Sequence, residues 1–130
     1  MFIYTPNFIP AIPEKTGQAV TPEARILADI RLALGKEPGV VAWRISQGLG
    51  YTPDGRVMRA GSVPGMADLI AVVAPHGRWL GLEIKAPRGR LSDEQRLWGA
   101  LLEKHGGIYA VVRSVPDAIA ALTRAREKIS

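Results

Sequence analysis

From Asp68 to Lys85 the chain reads DLIAVVAPHGRWLGLEIK. Two apolar runs flank the short segment Pro75-His76-Gly77, whose residue types are typical of a turn. The stretch therefore predicts a β-hairpin with strands over residues 68–74 and 78–85. The first strand is apolar on both faces, which is typical of a strand inside a sheet that is covered on both sides.

The second strand departs from its apolar pattern where it ends. Side chains alternate along a strand, so Glu83 and Lys85 share one face while Leu82 and Ile84 share the other. Charged residues at the end of an otherwise buried strand are a local conflict of the kind expected at a functional site. A cluster of ion pairs at the sheet end is the purely structural alternative.

The turn leaves two registers open for this hairpin. If Ala74 pairs with Gly77, then Asp68 stands opposite Glu83, with Cβ atoms about 4.5–5.5 Å apart. If a three-residue loop closes the turn instead, Asp68 faces Ile84 unless a bulge restores the match. Two carboxylates that close would repel each other, and a divalent cation between them would remove the conflict. Oxygen ligands in a chain without cysteine favour Mg²⁺ or Mn²⁺.

The segments around the hairpin predict a single α/β domain over residues 21–130, preceded by an N-terminal arm over residues 1–20. The arm is apolar yet rich in proline, so we expect it to pack on the domain or on a second copy. The predicted elements of the domain are a helix over 21–35, a strand over 40–47, a long glycine-rich loop over 48–65, the hairpin, a helix over 92–105, a strand over 108–113 and a helix over 116–128.

Composition limits the partners and the chemistry. The chain has 130 residues, which suits one domain, and a formal net charge of +5, which is typical of proteins that bind nucleic acid or an anionic membrane. Cysteine is absent, which excludes disulfide scaffolds, thiolate zinc sites, iron–sulfur clusters and thiol catalysis. No apolar run approaches the ~20 residues of a membrane-spanning helix. The N-terminus lacks the basic start of a secretory signal, so we expect a cytoplasmic protein.

Several short stretches together resemble a known family. They read GMADLI over 65–70, LEIK over 82–85, LSDEQRLW over 91–98 and VVRS over 111–114, and VAWR over 41–44 fits the same series. In this order they are similar to the PD-(D/E)XK nuclease superfamily and, within it, to the VRR-NUC (virus-type replication-repair nuclease) family. The resemblance departs at Ala67, where the family usually has proline.

The resemblance implies a restriction-endonuclease-like α/β fold, an αβββαβ core whose central mixed sheet is flanked by helices. It also implies Mg²⁺- or Mn²⁺-dependent hydrolysis of DNA phosphodiesters. Asp68, Glu83 and the main-chain carbonyl of Ile84 would then bind the metal. Lys85 would hold or help activate the attacking water and offset the charge that builds on the phosphate oxygens.

Two further residues have both an implied role and a simpler local explanation. The resemblance makes Glu23 an accessory acid, as a ligand or through water, although an acid in the first turn of a helix also suits the helix dipole. Gln95 would hydrogen-bond to the water or to Lys85, although with Ser92 it also fits a capping box.

Basic residues bracket the acidic pair in the sequence and predict contacts with DNA phosphates. Glycines in the segment 61–65 would let its backbone approach a DNA strand. The chain has no base-reading motif, so we expect recognition of DNA shape and backbone rather than of sequence. The candidate DNA-binding residues are Arg44, Arg56, Arg59, Ser62, Arg88 and Arg90.

These inferences predict a structure-selective DNA endonuclease of a bacterium or a phage-infected cell, acting in replication, recombination or repair. Branched DNA, such as Holliday junctions or flaps, is the substrate that the resemblance implies. Because a symmetric junction needs two cuts, we expect a homodimer, with the arm over 1–20 as a candidate contact. A DNA-binding module that does not cut is the alternative on the same fold.

Overall fold

The computed structural model of the chain describes residues 21–45, 48–60 and 63–127, so the arm over 1–20 lies outside the described residues. No helix within those ranges is long and apolar enough to cross a membrane. The elements are α1 (Pro22–Gly35), β1 (Val40–Arg44), β2 (Gly48–Tyr51), β3 (Val57–Ala60), β4 (Leu69–Val73), β5 (Arg78–Ile84), α2 (Asp93–Lys104), β6 (Ile108–Val112) and α3 (Val115–Arg126).

Four of the strands form one mixed sheet in the order β1-β4-β5-β6. The β1–β4 and β4–β5 pairs are antiparallel, whereas β5 and β6 are parallel. A parallel pair needs a crossover between its strands, and α2 supplies it. The architecture is therefore the predicted one, an α/β core with a central mixed sheet and flanking helices.

The apolar face of β5 forms the main core with α1 and α3. Leu80 and Leu82 are fully buried there, and Leu122 of α3 packs into the same cluster. Helix α1 begins where Thr21 Oγ1 accepts the N–H of Ala24. Its buried apolar side chains recur at helical spacing, at Leu27, Ile30 and Leu34. Each such buried side chain contributes about 1.5–3 kcal/mol of hydrophobic stabilisation.

Helix α2 covers the opposite face of the sheet, over β5 and β6, and two glycines allow its close approach. A Cβ at Gly81 would lie 3.0 Å from the Trp98 ring, and one at Gly99 would lie 2.4 Å from the Tyr109 ring. The helix backbone therefore sits tightly against the strand face that carries Glu83. This packing is what brings α2 side chains to the end of β5.

The β4–β5 hairpin adopts the register in which Ala74 stands opposite Gly77. Val73 pairs with Arg78 and Leu69 pairs with Leu82, so Asp68 and Glu83 occupy the next position along the ladder. The alternative three-residue-loop register is not adopted. This register, which the predicted function requires, is therefore confirmed, and it needs no bulge to place Asp68 opposite Glu83.

The prediction of one long loop over residues 48–65 is wrong. Strands β2 and β3 pair as a separate antiparallel hairpin within that segment. Its turn is closed by the Thr52 N–H, which donates to the Arg56 carbonyl at 2.8 Å, and it contains Gly55 at φ +85°. The turn residues Pro53-Asp54-Gly55 are a recognisable signal. Glycines inside the first strand interrupt the alternation that would have revealed the hairpin.

Candidate active site

Asp68 lies at the end of the sheet, immediately before β4, and hydrogen bonds hold it on two sides. Its Oδ2 accepts the main-chain N–H of Ile84 at 2.8 Å, and its carbonyl accepts the N–H of Ile45 at 2.8 Å. The backbone of Asp68 is thus tied to the end of β1, and its carboxylate is fixed by the end of β5. The structure brings Asp68 beside Glu83, as the hairpin register predicts.

Glu83 is the one buried charged residue among the described parts of the chain, with only 2% of its surface exposed. Its Oε1 accepts a hydrogen bond from Gln95 Nε2 at 2.7 Å, and Lys85 Nζ lies 3.9 Å from the same oxygen. Within the described residues, no group donates to its buried Oε2. One carboxylate oxygen is therefore held in place while the other lacks a partner.

The surroundings of Glu83 disfavour its ionised form. Burial, together with the charge and proximity of Asp68, raises the pKa of Glu83 to about 8, while Lys85 opposes the shift. The charge of Glu23 adds a smaller upward contribution to this pKa. The positive charge near Glu83 is therefore too weak to keep both carboxyl groups of the pair readily ionised.

Lys85 shares the strand face of Glu83, as the alternation along β5 predicts. Only 14% of its side chain is exposed. A Cβ at Gly89 would lie 3.3 Å from the Lys85 Cβ and Cδ atoms, so this glycine lets the following loop pack on the lysine stem. The ammonium group is thereby kept at the carboxylate pair rather than in bulk water.

Gln95 forms the capping box that the sequence offered as one alternative, and its side chain also contacts the acidic pair. Ser92 Oγ accepts the N–H of Gln95 at 3.2 Å, and Gln95 Oε1 accepts the N–H of Ser92 at 2.8 Å, which completes the capping box. Because the capping bond occupies Oε1, the amide Nε2 remains free to donate to Glu83. Within the acidic site, the side-chain partner of Gln95 is therefore Glu83 rather than Lys85, and the predicted hydrogen bond to the attacking water stays a prediction.

Glu23 lies in the first turn of α1, and its Oε1 accepts the N–H of Ala86 at 3.4 Å. It is thus brought to the same end of β5 as Lys85. Across residues 21–45, 48–60 and 63–127, however, no three His, Asp or Glu side chains are grouped so that they could hold a metal ion. Glu23 therefore lies at the same end of the sheet as the acidic pair, and its role as an accessory acid stays a prediction.

The loop between β5 and α2 carries two of the predicted DNA-binding residues, Arg88 and Arg90, and both are exposed. Arg113 Nη2 donates to the carbonyl of Gly89 at 2.8 Å and so ties this loop to the end of β6. Arg44 ends β1 beside Leu69, at the same end of the sheet. Arginines therefore lie on the loop and on the edge strand at the end of the sheet that carries the carboxylate pair.

The β2–β3 hairpin brings fewer of the predicted DNA-binding residues to the described site. Arg56 is exposed, and its Nε donates to Asp54 Oδ2 at 2.9 Å. Ser62 and the side chain of Arg59 lie outside the described part of the structure. Gly65 has a packing role: at φ +81°, its missing Cβ would lie 2.3 Å from the Glu94 carbonyl oxygen, so the chain passes tightly against the start of α2.

Tyr109 is a residue that the sequence reasoning did not single out. Its hydroxyl is buried and, among the described residues, has no hydrogen-bond partner. Burial raises the pKa of Tyr109, and the charges of Glu83 and Asp68 raise it further. A tyrosine within an alternating strand looks like any core aromatic, so only the tertiary packing reveals its proximity to the acidic pair.

Comparison with protein families matches residues 24–116 to the VRR-NUC domain. The matched segment contains Asp68, Glu83, Lys85 and Gln95, together with the whole four-stranded sheet. Neither the comparison with curated proteins nor that with solved structures found a match.

Proposed function

Because the chain belongs to the VRR-NUC family, whose domain implies nuclease-type function on DNA, we propose that it is a divalent-metal-dependent DNA endonuclease. The observation that carries the proposal is the buried Glu83, held at Oε1 by Gln95, with no donor described for Oε2 and with Asp68 beside it. A buried carboxylate left in this state is costly to a fold, and it is expected where a ligand completes it.

The donor set fits a hard divalent cation. Asp68 and Glu83 would supply carboxylate oxygens, and Ile84 would supply its main-chain carbonyl. Mg²⁺ is usually held by one or two carboxylates, with water and substrate phosphates at its other positions, so a third acidic side chain is not required. When bound, such a cation would polarise the scissile phosphate and lower the pKa of a nearby water.

Lys85 supplies the positive charge that the protein itself contributes. Its ammonium lies 3.9 Å from Glu83 Oε1 and is largely shielded from solvent. In that position it can hydrogen-bond the attacking water or a phosphate oxygen, and its charge offsets the negative charge that builds as the phosphodiester is attacked. The low exposure strengthens this interaction relative to one in bulk water.

Gln95 and the loop arginines have supporting functions. Gln95 fixes the rotation of the Glu83 carboxylate through its 2.7 Å hydrogen bond. Arg88 and Arg90 are exposed on the loop that packs against Lys85, so they can contact the backbone phosphates on either side of the cut. Phosphate contacts position a DNA strand without reading its sequence, which suits recognition by shape.

We further propose branched DNA, such as four-way junctions or flaps, as the preferred substrate, and a homodimer as the active form. Both proposals rest on the resemblance of the sequence to the family, as does the cytoplasm of a bacterial or phage-infected cell as the location. Two cuts in a symmetric junction require two sites, and a two-fold dimer provides them. A monomer by light scattering at micromolar concentration, with and without junction DNA, would contradict the dimer.

One assay tests the proposal and separates it from a DNA-binding module that does not cut. Flap, four-way junction and plain duplex DNA are incubated with Mg²⁺, Mn²⁺ or EDTA and with wild type, Asp68→Ala or Lys85→Ala. We expect wild type alone to cut, only with metal, and to cut the branched substrates faster. Cutting that persists in EDTA or in Asp68→Ala would contradict the mechanism. Binding by wild type without cutting would favour the binding module.

A further inference from the structure

Two buried side-chain polar atoms have no partner among the described residues, and they are Glu83 Oε2 and the Tyr109 hydroxyl. A buried tyrosine hydroxyl normally finds a hydrogen-bond partner. The two atoms are complementary when Glu83 is ionised, as a metal ligand would be, because a carboxylate oxygen only accepts and a phenol can donate. A buried acceptor and a buried donor, both without partners and on one face of the sheet, point to an interaction that links them.

The register of the sheet places these side chains close together. Tyr109 pairs with Gly81 and Val111 pairs with Glu83 on the parallel strands β5 and β6, so Tyr109 and Glu83 are diagonal neighbours on one face. The strand spacing and rise put their Cα atoms about 8 Å apart, a gap that a tyrosine and a glutamate side chain together span. Gly81 leaves the position between them without a side chain of its own.

Helix α2 contacts both of these residues, at positions one helical turn apart. Gln95 contacts Glu83, and Gly99, one helical turn further along, lies against the Tyr109 ring. Trp98 packs edge-on against that ring at a centroid distance of 5.9 Å. The ring is therefore clamped between the sheet and the helix, with its hydroxyl out of solvent.

We propose that Tyr109 is a positioning residue whose hydroxyl donates to Glu83 Oε2 through one bridging water, while Gln95 donates to Oε1. Two donors would fix the carboxylate and leave its remaining lone pairs for a metal ion. The inference rests on the proposed function, since it concerns how the proposed ligand is oriented. The hydroxyl is buried and does not reach DNA, so it acts through Glu83 alone.

Tyr109→Phe tests this directly, because it removes the hydroxyl and keeps the ring against Gly99. Tyr51→Phe is the matched control, as the Tyr51 side chain is exposed on the separate hairpin. Mn²⁺ binding is measured from the loss of the free-ion electron paramagnetic resonance signal, alongside kcat, the KM for DNA and the melting temperature. For Tyr109→Phe we expect Mn²⁺ affinity and kcat to fall about 10-fold or more, as for lost partners of other metal ligands. The KM for DNA and the melting temperature should match wild type, and Tyr51→Phe should match wild type throughout.

Wild-type Mn²⁺ affinity and kcat in Tyr109→Phe would overturn the inference, as would a lower melting temperature with unchanged Mn²⁺ affinity. Gly99→Ala is a second variant that keeps the hydroxyl but displaces the ring, and it must weaken Mn²⁺ binding in the same direction. If wild type binds Mn²⁺ more tightly than Tyr109→Phe yet cuts no DNA, the positioning role stands and the proposed function fails. If wild type neither binds Mn²⁺ nor cuts, both fail.

Discussion

Glu37 and Glu83 both face a cation, but their surroundings differ. Both guanidinium Nη atoms of Arg126 donate to Glu37 Oε2 at 3.2 Å, and Arg126 also donates to the Pro38 carbonyl at 2.7 Å. About a third of each of these two side chains remains in solvent, at 29% and 34%. Glu83 has only 3% of its side chain exposed, and its cation, on Lys85, stands 3.9 Å away.

The difference separates a structural ion pair from the proposed metal site. The Glu37–Arg126 pair joins the end of α1 to the end of α3 and needs nothing more, since water solvates what the partner does not. Glu83 is more buried and less satisfied, with Asp68 as a second negative neighbour. Burial without full pairing costs free energy, and such a cost persists in a fold where function requires it.

The largest expected effect comes from neutralising each glutamate in turn. Glu83→Gln should lower the rate of DNA cleavage about 10³-fold or more, because a proposed metal ligand becomes a weak one. Glu37→Gln, the same change in the structural pair, should leave the rate within twofold of wild type, as measured in one cleavage assay under Mg²⁺. Equal losses in the two variants would mean that the comparison is wrong.

Lys85→Met tests the role of the cation that faces Glu83. It keeps much of the apolar stem that packs on Gly89 and removes the charge. We expect kcat to fall about 10²-fold, with little change in the KM for DNA, because the charge acts on the developing phosphate charge. A loss confined to KM, read from single-turnover kinetics across DNA concentrations, would make Lys85 a simple phosphate anchor instead.

Gly65→Ala tests whether the start of α2 must sit where it does. A Cβ there would lie 2.3 Å from the Glu94 carbonyl oxygen and 2.8 Å from the Gln95 nitrogen. Gly77→Ala is the matched control, since Gly77 also has positive φ but open space around it. Strain alone should cost about 1 kcal/mol in both, and the clash about 2 kcal/mol more in Gly65→Ala, by urea unfolding. Equal destabilisation would show that α2 shifts freely.

The pH dependence of stability reports on Glu83 in the metal-free protein. The folded-state pKa of Glu83 is raised from 4.5 to about 8, so the folded protein keeps a proton that the unfolded chain has lost between those values. Its contribution to the free energy of unfolding therefore decreases as pH rises from about 4.5 to 8. In EDTA, the melting temperature of wild type should fall relative to that of Glu83→Gln across this window. Parallel melting curves for the two proteins would contradict the raised pKa.

The smallest effect is the stability cost of Glu37→Gln. Both side chains of the pair are partly exposed, so the loss should be about 1 kcal/mol or less, and high salt should reduce it. Chemical unfolding at low and high ionic strength measures it. A cost of several kcal/mol would show that this pair is the stronger constraint on the fold.

The sequence predicts the four-stranded core well because its strands carry unambiguous apolar patterns. It even narrows the β4–β5 hairpin to two registers, and the one that places Asp68 beside Glu83 is adopted. Turn residues alone do not choose between those registers, since either loop suits Pro75-His76-Gly77. The β2–β3 hairpin is missed because glycines interrupt its alternation.

Site residues are predictable only as far as local patterns reach. The Ser92–Gln95 capping box is readable from four consecutive residues, but the bond from Gln95 to Glu83 depends on how α2 packs on β5. That packing depends on glycines at 81 and 99, whose lack of a side chain gives no periodic signal. Tyr109 is hidden for the same reason, because its position relative to Glu83 follows from the parallel pairing of β5 and β6.

The central claim is that the Asp68–Glu83 pair forms a metal-dependent nuclease site. It is tested most directly by following a labelled four-way junction, first in EDTA and then after excess Mn²⁺ is added, with wild type and Asp68→Asn. Binding of the junction is measured in parallel by gel shift. We predict that both proteins bind, that neither cuts in EDTA, and that wild type alone cuts once Mn²⁺ is present. Cutting by wild type in EDTA, or equal cutting by Asp68→Asn after Mn²⁺ addition, would contradict the claim.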